Sequence, residues 1–243
     1  MTLPLWAQLV LLIEFFALLG LAAAFYGRGT RIVFLLGFLV MAPVAALIAW
    51  EGSGAPWRRA LIIVFVCVYV ARMAYVLAMW FGSTGAAKLG PQSLATRAAL
   101  PIILTNTCGW LYCAPFFWAA ARAETFGLWD GIALVLYGIG TVLHLGGDWQ
   151  KRRFRQDPSN KGRLLETGFW GLCRHPNYLG DFLVYLSFAA LSASPFGLIA
   201  PAANFLQYWF DAIPKNEAMN AERYGQTWKT YADRVKMFIP YIL

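Results

Sequence analysis

Charge is scarce in this chain. Only 13% of its 243 residues are Asp, Glu, Lys or Arg, against roughly 25% in a soluble globular domain. That deficit excludes an ordinary water-solvated fold and implies a chain whose solvent is mostly lipid. Histidine is scarcer still. His144 and His175 are the only two, which argues against a histidine-rich metal centre, and no metal is expected. The four cysteines, Cys67, Cys108, Cys113 and Cys173, form no C-x-x-C pair. Buried thiols are expected and disulfides are not. A G-x-G-x-x-G turn on a strand–turn–helix unit is also absent, which excludes a Rossmann domain. No strand pattern competes, because open strands cannot satisfy their backbones in lipid.

What the chain has is apolar length. Sixty per cent of its residues are hydrophobic, gathered in blocks near the ~20 residues of helix that cross a bilayer. Seven runs can be read: Leu5 to Phe25, Ile32 to Trp50, Ala60 to Phe81, Ala98 to Ala121, Leu128 to Leu145, Tyr178 to Ala193 and Pro195 to Ile213. The last two are short, are joined by "SASP", and predict a tight helical hairpin. The fold class is therefore an all-α polytopic membrane protein of about seven transmembrane helices. The opening "MTLPLWAQLVLLIEFF" lacks a basic segment and carries Glu14 inside its apolar run, so it reads as a retained first span rather than a signal peptide.

The formal charge of +8 does not point to nucleic acid, because the basic residues flank apolar runs instead of forming a soluble patch. Most Lys and Arg follow the first, third and fifth runs or lie in the tail. By the positive-inside rule, the N-terminus is then outside and the C-terminus cytoplasmic.

The richest polar stretch is cytoplasmic on that reading: "HLGGDWQKRRFRQDPSNKGRLLETGFWGLCRHPNYLGD". If the fifth helix continues past Leu145, Asp148, Arg152 and Arg155 recur at near-helical spacing, as do His144 and Lys151. Such cations can hold phosphates, and the nearby acid suits a ribose hydroxyl. A basic helix lying on anionic lipid fits the same residues. In the tail, Asn216, Asn220 and Tyr224 fall at i, i+4 and i+8 and share one helical face.

"FRQDPSNKG", "GFWGLCRHPNYLGD" and "ERYGQTWKTY" closing on "IPYIL" resemble, in order and spacing, the C-terminal half of the steroid 5α-reductase family and the related integral-membrane sterol reductases. The resemblance covers roughly residues 143–243 and implies NADPH as cofactor. It places Asp148, Lys151, Arg155, Asn177, Asp181, Asn216, Asn220 and Tyr224 on cofactor-binding positions. His144 departs from the asparagine expected there. The short "RHPNY" piece also resembles isoprenylcysteine carboxyl methyltransferases, which use S-adenosylmethionine; that is the alternative enzyme reading. A transporter is a further alternative, but no pattern of broken half-helices supports it.

Three ionisable residues fall within or at the ends of the early runs: Glu14, Glu51 and Arg72. Such positions are functional hypotheses by default. "WEGSGAP" and "YVAR" resemble the family's second-span glutamate and third-span Tyr-x-x-Arg. By resemblance, Glu51 and Tyr69 are catalytic and Arg72 contacts the cofactor. The implied reaction is NADPH-dependent reduction of the Δ4 bond of a 3-oxo-steroid or similar membrane-soluble enone. Glu51 and Tyr69 would clamp the C3 oxygen as hydride reaches C5. The resemblance also divides the single domain into substrate-side helices (1–125) and an NADPH-binding half (126–243). Glu14 has no family role.

Overall fold

A computed structural model describes residues 3–26, 29–80 and 93–243. Within them all regular structure is helical. Among the described residues, five helical segments are long and apolar enough to cross a membrane. The first run forms α1 (Leu5–Phe25). The second becomes α2 (Gly29–Leu39) and α3 (Met41–Glu51), interrupted at Val40. Pro43 accounts for the break, since it lacks the N–H that the carbonyl of Leu39 would accept and its ring crowds that carbonyl. Then comes α4 (Pro56–Trp80); the predicted end of this run at Phe81 lies outside the described residues. The fourth run comprises α5 (Leu94–Asn106), a wider π-helical turn (Thr107–Tyr112) and α6 (Pro115–Ala121).

The fifth run is much longer than its apolar part. Helix α7 (Leu128–Gln156) continues past Leu145 into the basic stretch. A short α8 (Phe169–Leu172) precedes α9 (Pro176–Ser192). The seventh run is broken into a 3-10 turn (Pro195–Leu198), α10 (Ile199–Gln207) and a π turn (Tyr208–Ala212). The tail forms α11 (Ile213–Tyr224) and α12 (Gln226–Arg234). Neither the sixth nor the seventh run is among the five segments long and apolar enough to span.

The chain divides into two compact units, Met1–Asp130 with Phe188–Ala200, and Gly131–Ser187 with Pro201–Leu243. The end of α9 and the following turn belong with the first unit. In that unit α1 packs on α2 and α5 through Leu9, Ile13, Ala17, Gly20 and Ala24, a buried stripe at helical spacing. Its polar anchor is Arg58, fully buried with Asp130. The connection 52–55 runs tightly against residues 120–122. Gly54 N donates to Ala120 O (2.8 Å), and a Cβ on Gly54 would fall 2.4 Å from Arg122 O. Glycine there allows the backbones to meet. The four cysteines are free thiols; Cys108, Cys113 and Cys173 are buried, whereas Cys67 faces outward on α4.

In the second unit α7 and α9 cross where two glycines meet. A Cβ on Gly180 would lie 2.5 Å from both Gly140 O and His144 N. This close approach brings the polar residues of the two helices together.

Candidate functional site

Because α7 and α9 nearly touch, His144 reaches both helices' carboxylates. Its Nε2 lies 3.5 Å from Asp148 Oδ2, and its Nδ1 lies 3.5 Å from Asp181 Oδ1. Asn177 Nδ2 donates to Asp148 Oδ1 (3.2 Å). Asp181, almost wholly buried, also accepts from Asn204 Nδ2 (3.2 Å) and the Tyr208 hydroxyl (2.7 Å). The Tyr208 ring stacks on Tyr178 (4.4 Å between centroids), and Asn216 donates to the Tyr178 hydroxyl. Four of the expected positions, Asp148, Asn177, Asp181 and Asn216, thus share one region of the second unit. His144, Tyr178, Asn204 and Tyr208 complete it. Of these, His144 and Tyr178 carried a sequence signal, the latter inside "RHPNY"; Asn204 and Tyr208 lie unmarked in an apolar run.

The other four expected positions line a cleft one turn further along α7. Lys151, Arg155, Asn220 and Tyr224 face it, with Arg163, Trp170 and Trp228. The Lys151 ammonium sits 4.2 Å above the Trp170 ring, and Arg155 hydrogen-bonds Tyr224. Cations, an amide and flat aromatic walls therefore converge on one concavity. That donor set suits a ligand with phosphates and planar rings.

The Arg174–His175 pair of "RHPNY" is not part of the lining of this cleft and ties the tail down. Arg174 donates from Nε and Nη2 to the two oxygens of Glu217 (3.1 and 3.0 Å) and from Nη1 to the carbonyl of Val235 (2.7 Å). His175 Nε2 lies 2.8 Å from Glu217 Oε1, and its ring stacks on Tyr178. Burial pushes the His175 imidazole below its usual value even though Glu217 favours its charged form. Burial also works against the Glu217 charge, but hydrogen bonds from His175 and Arg174 outweigh it and hold the carboxyl below its usual range. Neutral His175 then donates to ionised Glu217.

Both groups resist protonation more in the folded chain than in the unfolded one, so acid favours unfolding. The loss begins as pH falls through the unfolded histidine value of 6.5. It grows as pH falls below 4.5, the unfolded value for Glu217, toward the lower folded value. Melting temperature in detergent is expected to drop on acidification, and Glu217→Gln to lower it at neutral pH while flattening the most acidic limb. An acid profile unchanged by Glu217→Gln would assign the sensitivity to other groups.

In the first unit Tyr69 is buried on α4, edge-on to Phe38 and Phe188, each 6.2 Å between centroids. The Arg72 guanidinium, also buried, lies 4.6 Å over its ring. Glu51 is placed differently. It is exposed at the last residue of α3. Arg59 Nε donates to Ala49 O (2.6 Å), so the end of α3 is level with Arg59. Tyr69 is ten residues further along α4, roughly 15 Å at 1.5 Å per residue. The clamp expected from the sequence asks both side chains to reach one substrate oxygen; here Glu51 is exposed at the end of α3 and Tyr69 is buried further along α4. The "YVAR" spacing brings Tyr69 and Arg72 together, while Glu51 is the last residue of its helix.

A family model described as "Protein of unknown function (DUF1295)" matches residues 28–235. Among curated proteins, the chain is 32% identical over 123 residues to a Delta(14)-sterol reductase of Mus musculus, covering 43% of this chain and 28% of the relative. It is 30% identical over 126 residues to the Delta(14)-sterol reductase of Arabidopsis thaliana, covering 44% and 32%. With that of Schizosaccharomyces pombe it shares 27% over 152 residues, covering 54% and 35%. The chain thus spans about a third of the length of the curated relatives it matches.

Proposed function

We propose, for a chain that belongs to the DUF1295 family, that it is a membrane reductase of a sterol, a steroid or a similar lipid-soluble alkene. NADPH is the proposed cofactor, bound in the second unit. The convergence of Lys151, Arg155, Asn220 and Tyr224 on one cleft carries this reading. The relatives' name, Delta(14)-sterol reductase, supports it. The residues fit the cofactor: Lys151 and Arg155 would hold phosphates, Asn220 and Tyr224 would bond neutral polar groups, and Trp170 offers a flat wall. Asp148, steadied by Asn177, would take a ribose hydroxyl. When bound, NADPH would supply the hydride.

On the substrate side Tyr69 is the proposed polarising group. In a 3-oxo-Δ4-steroid, hydride arrival at C5 sends negative charge to the C3 oxygen. A phenol donor there stabilises the developing enolate, and C4 then takes a proton from solvent. A Δ14 double bond, which the relatives' names suggest, has no conjugated carbonyl, so the phenol would act there as an acid. Incubation with each substrate and identification of the product separates the two. In the proposed orientation the N-terminus is outside and the cleft faces the cytoplasm.

Nucleotide titration in detergent tests the cleft. Arg155→Ala and Lys151→Ala are each expected to weaken NADPH binding about 10-fold or more, the worth of one charged hydrogen bond. Unchanged affinity in both variants would remove the cleft from the proposal. Tight S-adenosylmethionine binding with no NADPH binding would move the chain to the methyltransferase reading.

A further inference from the structure

The basic end of α7 has two sides. Lys151 and Arg155 line the cleft. At ~100° per residue, Arg153 lies about 160° round the helix from each of them, and it is exposed. It continues a different stripe. Val135 (60% exposed), Ile139 (49%), Val142 (59%), Trp149 (56%) and Arg153 recur at intervals of 4, 3, 7 and 4 and share one outward face.

Along that face the chemistry changes in one direction, from aliphatic to indole to guanidinium. A helix leaving a bilayer has that order: apolar in the hydrocarbon, aromatic at its boundary and basic beyond it. The Arg153 guanidinium lies 4.9 Å from the centre of the Trp149 ring, so the two form one surface element. Half-buried Arg152 adjoins it. Among the described residues neither arginine has a hydrogen-bond or ion-pair partner. Asp157, next along the chain, is engaged instead by Ser159 N and Oγ (2.9 and 2.7 Å).

We propose that this outward face of α7 binds anionic phospholipid headgroups, with phosphates on Arg153 and Arg152 and the Trp149 indole at the hydrocarbon boundary. Arg153 is four residues beyond Trp149, about 6 Å along the helix axis. The headgroup layer on each side of the hydrocarbon is about 5–7 Å thick, so a guanidinium there ends among phosphates. Its fork bonds phosphate oxygens bidentately, and an anionic leaflet attracts each basic residue beside it. A soluble acidic protein would have to displace headgroups from the same depth. A nucleotide site and a lipid contact are then compatible within one basic stretch, because they use opposite sides of one helix. Lipid binding on this face is independent of what the cleft holds.

The test is native mass spectrometry of the full-length chain in detergent, titrated with dioleoylphosphatidylglycerol or dioleoylphosphatidylcholine. Wild type is expected to retain the anionic lipid more tightly. Arg153→Gln should lower phosphatidylglycerol affinity about fivefold, and Arg152→Gln/Arg153→Gln about 30-fold. Phosphatidylcholine binding and melting temperature should not move, because neither arginine is paired within the fold. Lys229→Gln/Lys236→Gln removes the same charge from exposed positions in the tail, and Arg155→Ala removes a cation of the cleft. Both controls should leave phosphatidylglycerol affinity unchanged. Equal retention of the two lipids by wild type would overturn the proposal, as would an undiminished preference in Arg152→Gln/Arg153→Gln. An equal loss in the tail variant would overturn it in favour of net charge alone. A loss in Arg155→Ala but not in Arg153→Gln would overturn it by putting the lipid in the cleft.

Discussion

Asp130→Ala is expected to destabilise the protein by about 3–5 kcal/mol, the range for removing one partner of a buried ion pair. Arg58 is fully buried and holds Asp130 through two bonds, Nε to Oδ1 (2.9 Å) and Nη2 to Oδ2 (3.0 Å). Its Nη1 also donates to Arg122 O (2.7 Å), which fastens the segment following α6. Loss of the carboxylate leaves the buried guanidinium only the exposed Glu124 carboxylate, 3.9 Å from Nη1, as counter-charge. Arg58→Met should cost less, since Arg122 Nη1, 3.4 Å from Asp130 Oδ1, still faces the carboxylate while the Arg122 carbonyl loses its donor. The double variant Arg58→Met/Asp130→Leu is expected to recover much of the loss, because apolar replacements of a buried pair are often neutral or better. Unfolding in detergent, by heat or denaturant, measures all three. A loss below about 1 kcal/mol for Asp130→Ala would match a solvated pair and end the argument.

Tyr69→Phe is expected to cut turnover about 100-fold, the effect of removing one donor to a developing oxyanion in a dry site. The ring stays in place against Phe38 and Phe188 and under Arg72, so melting temperature should hardly move. A donor used only in the transition state lowers kcat and kcat/KM together and leaves KM nearly unchanged. Glu51→Ala should leave turnover near wild type, since Glu51 is exposed at the far end of its helix. Steady-state NADPH oxidation with an enone steroid, read beside product identity, gives the comparison. Full turnover in Tyr69→Phe would make Tyr69 a core aromatic and no more. A large loss in Glu51→Ala would restore the clamp and require the end of α3 to move.

The cleft residues were legible because each half lies on one helix. Lys151 and Arg155 are four residues apart on α7, as are Asn220 and Tyr224 on α11, and helical spacing alone puts each pair on one side. The Asp148–His144–Asp181 arrangement was only half legible. Asp148 and Asp181 stood out as acids, but their bridge depends on the Gly140–Gly180 contact between helices. Asn204 and Tyr208 reach Asp181 from a run that reads as featureless lipid-facing helix.

By itself, the sequence determined that this is an all-helical chain with spans of bilayer length, and that its polar chemistry gathers after residue 143. Lipid imposes that much, because it demands internal backbone hydrogen bonding and about 20 apolar residues per crossing. Tertiary structure alone decided which charges are inside. Arg58, which lies just before the third apolar run, is buried against an aspartate 72 residues away, while Glu51, read as a catalytic acid, stands exposed. Burial of a charge depends on which helices cross and at what level, and the spacing along one helix carries no information about its neighbour.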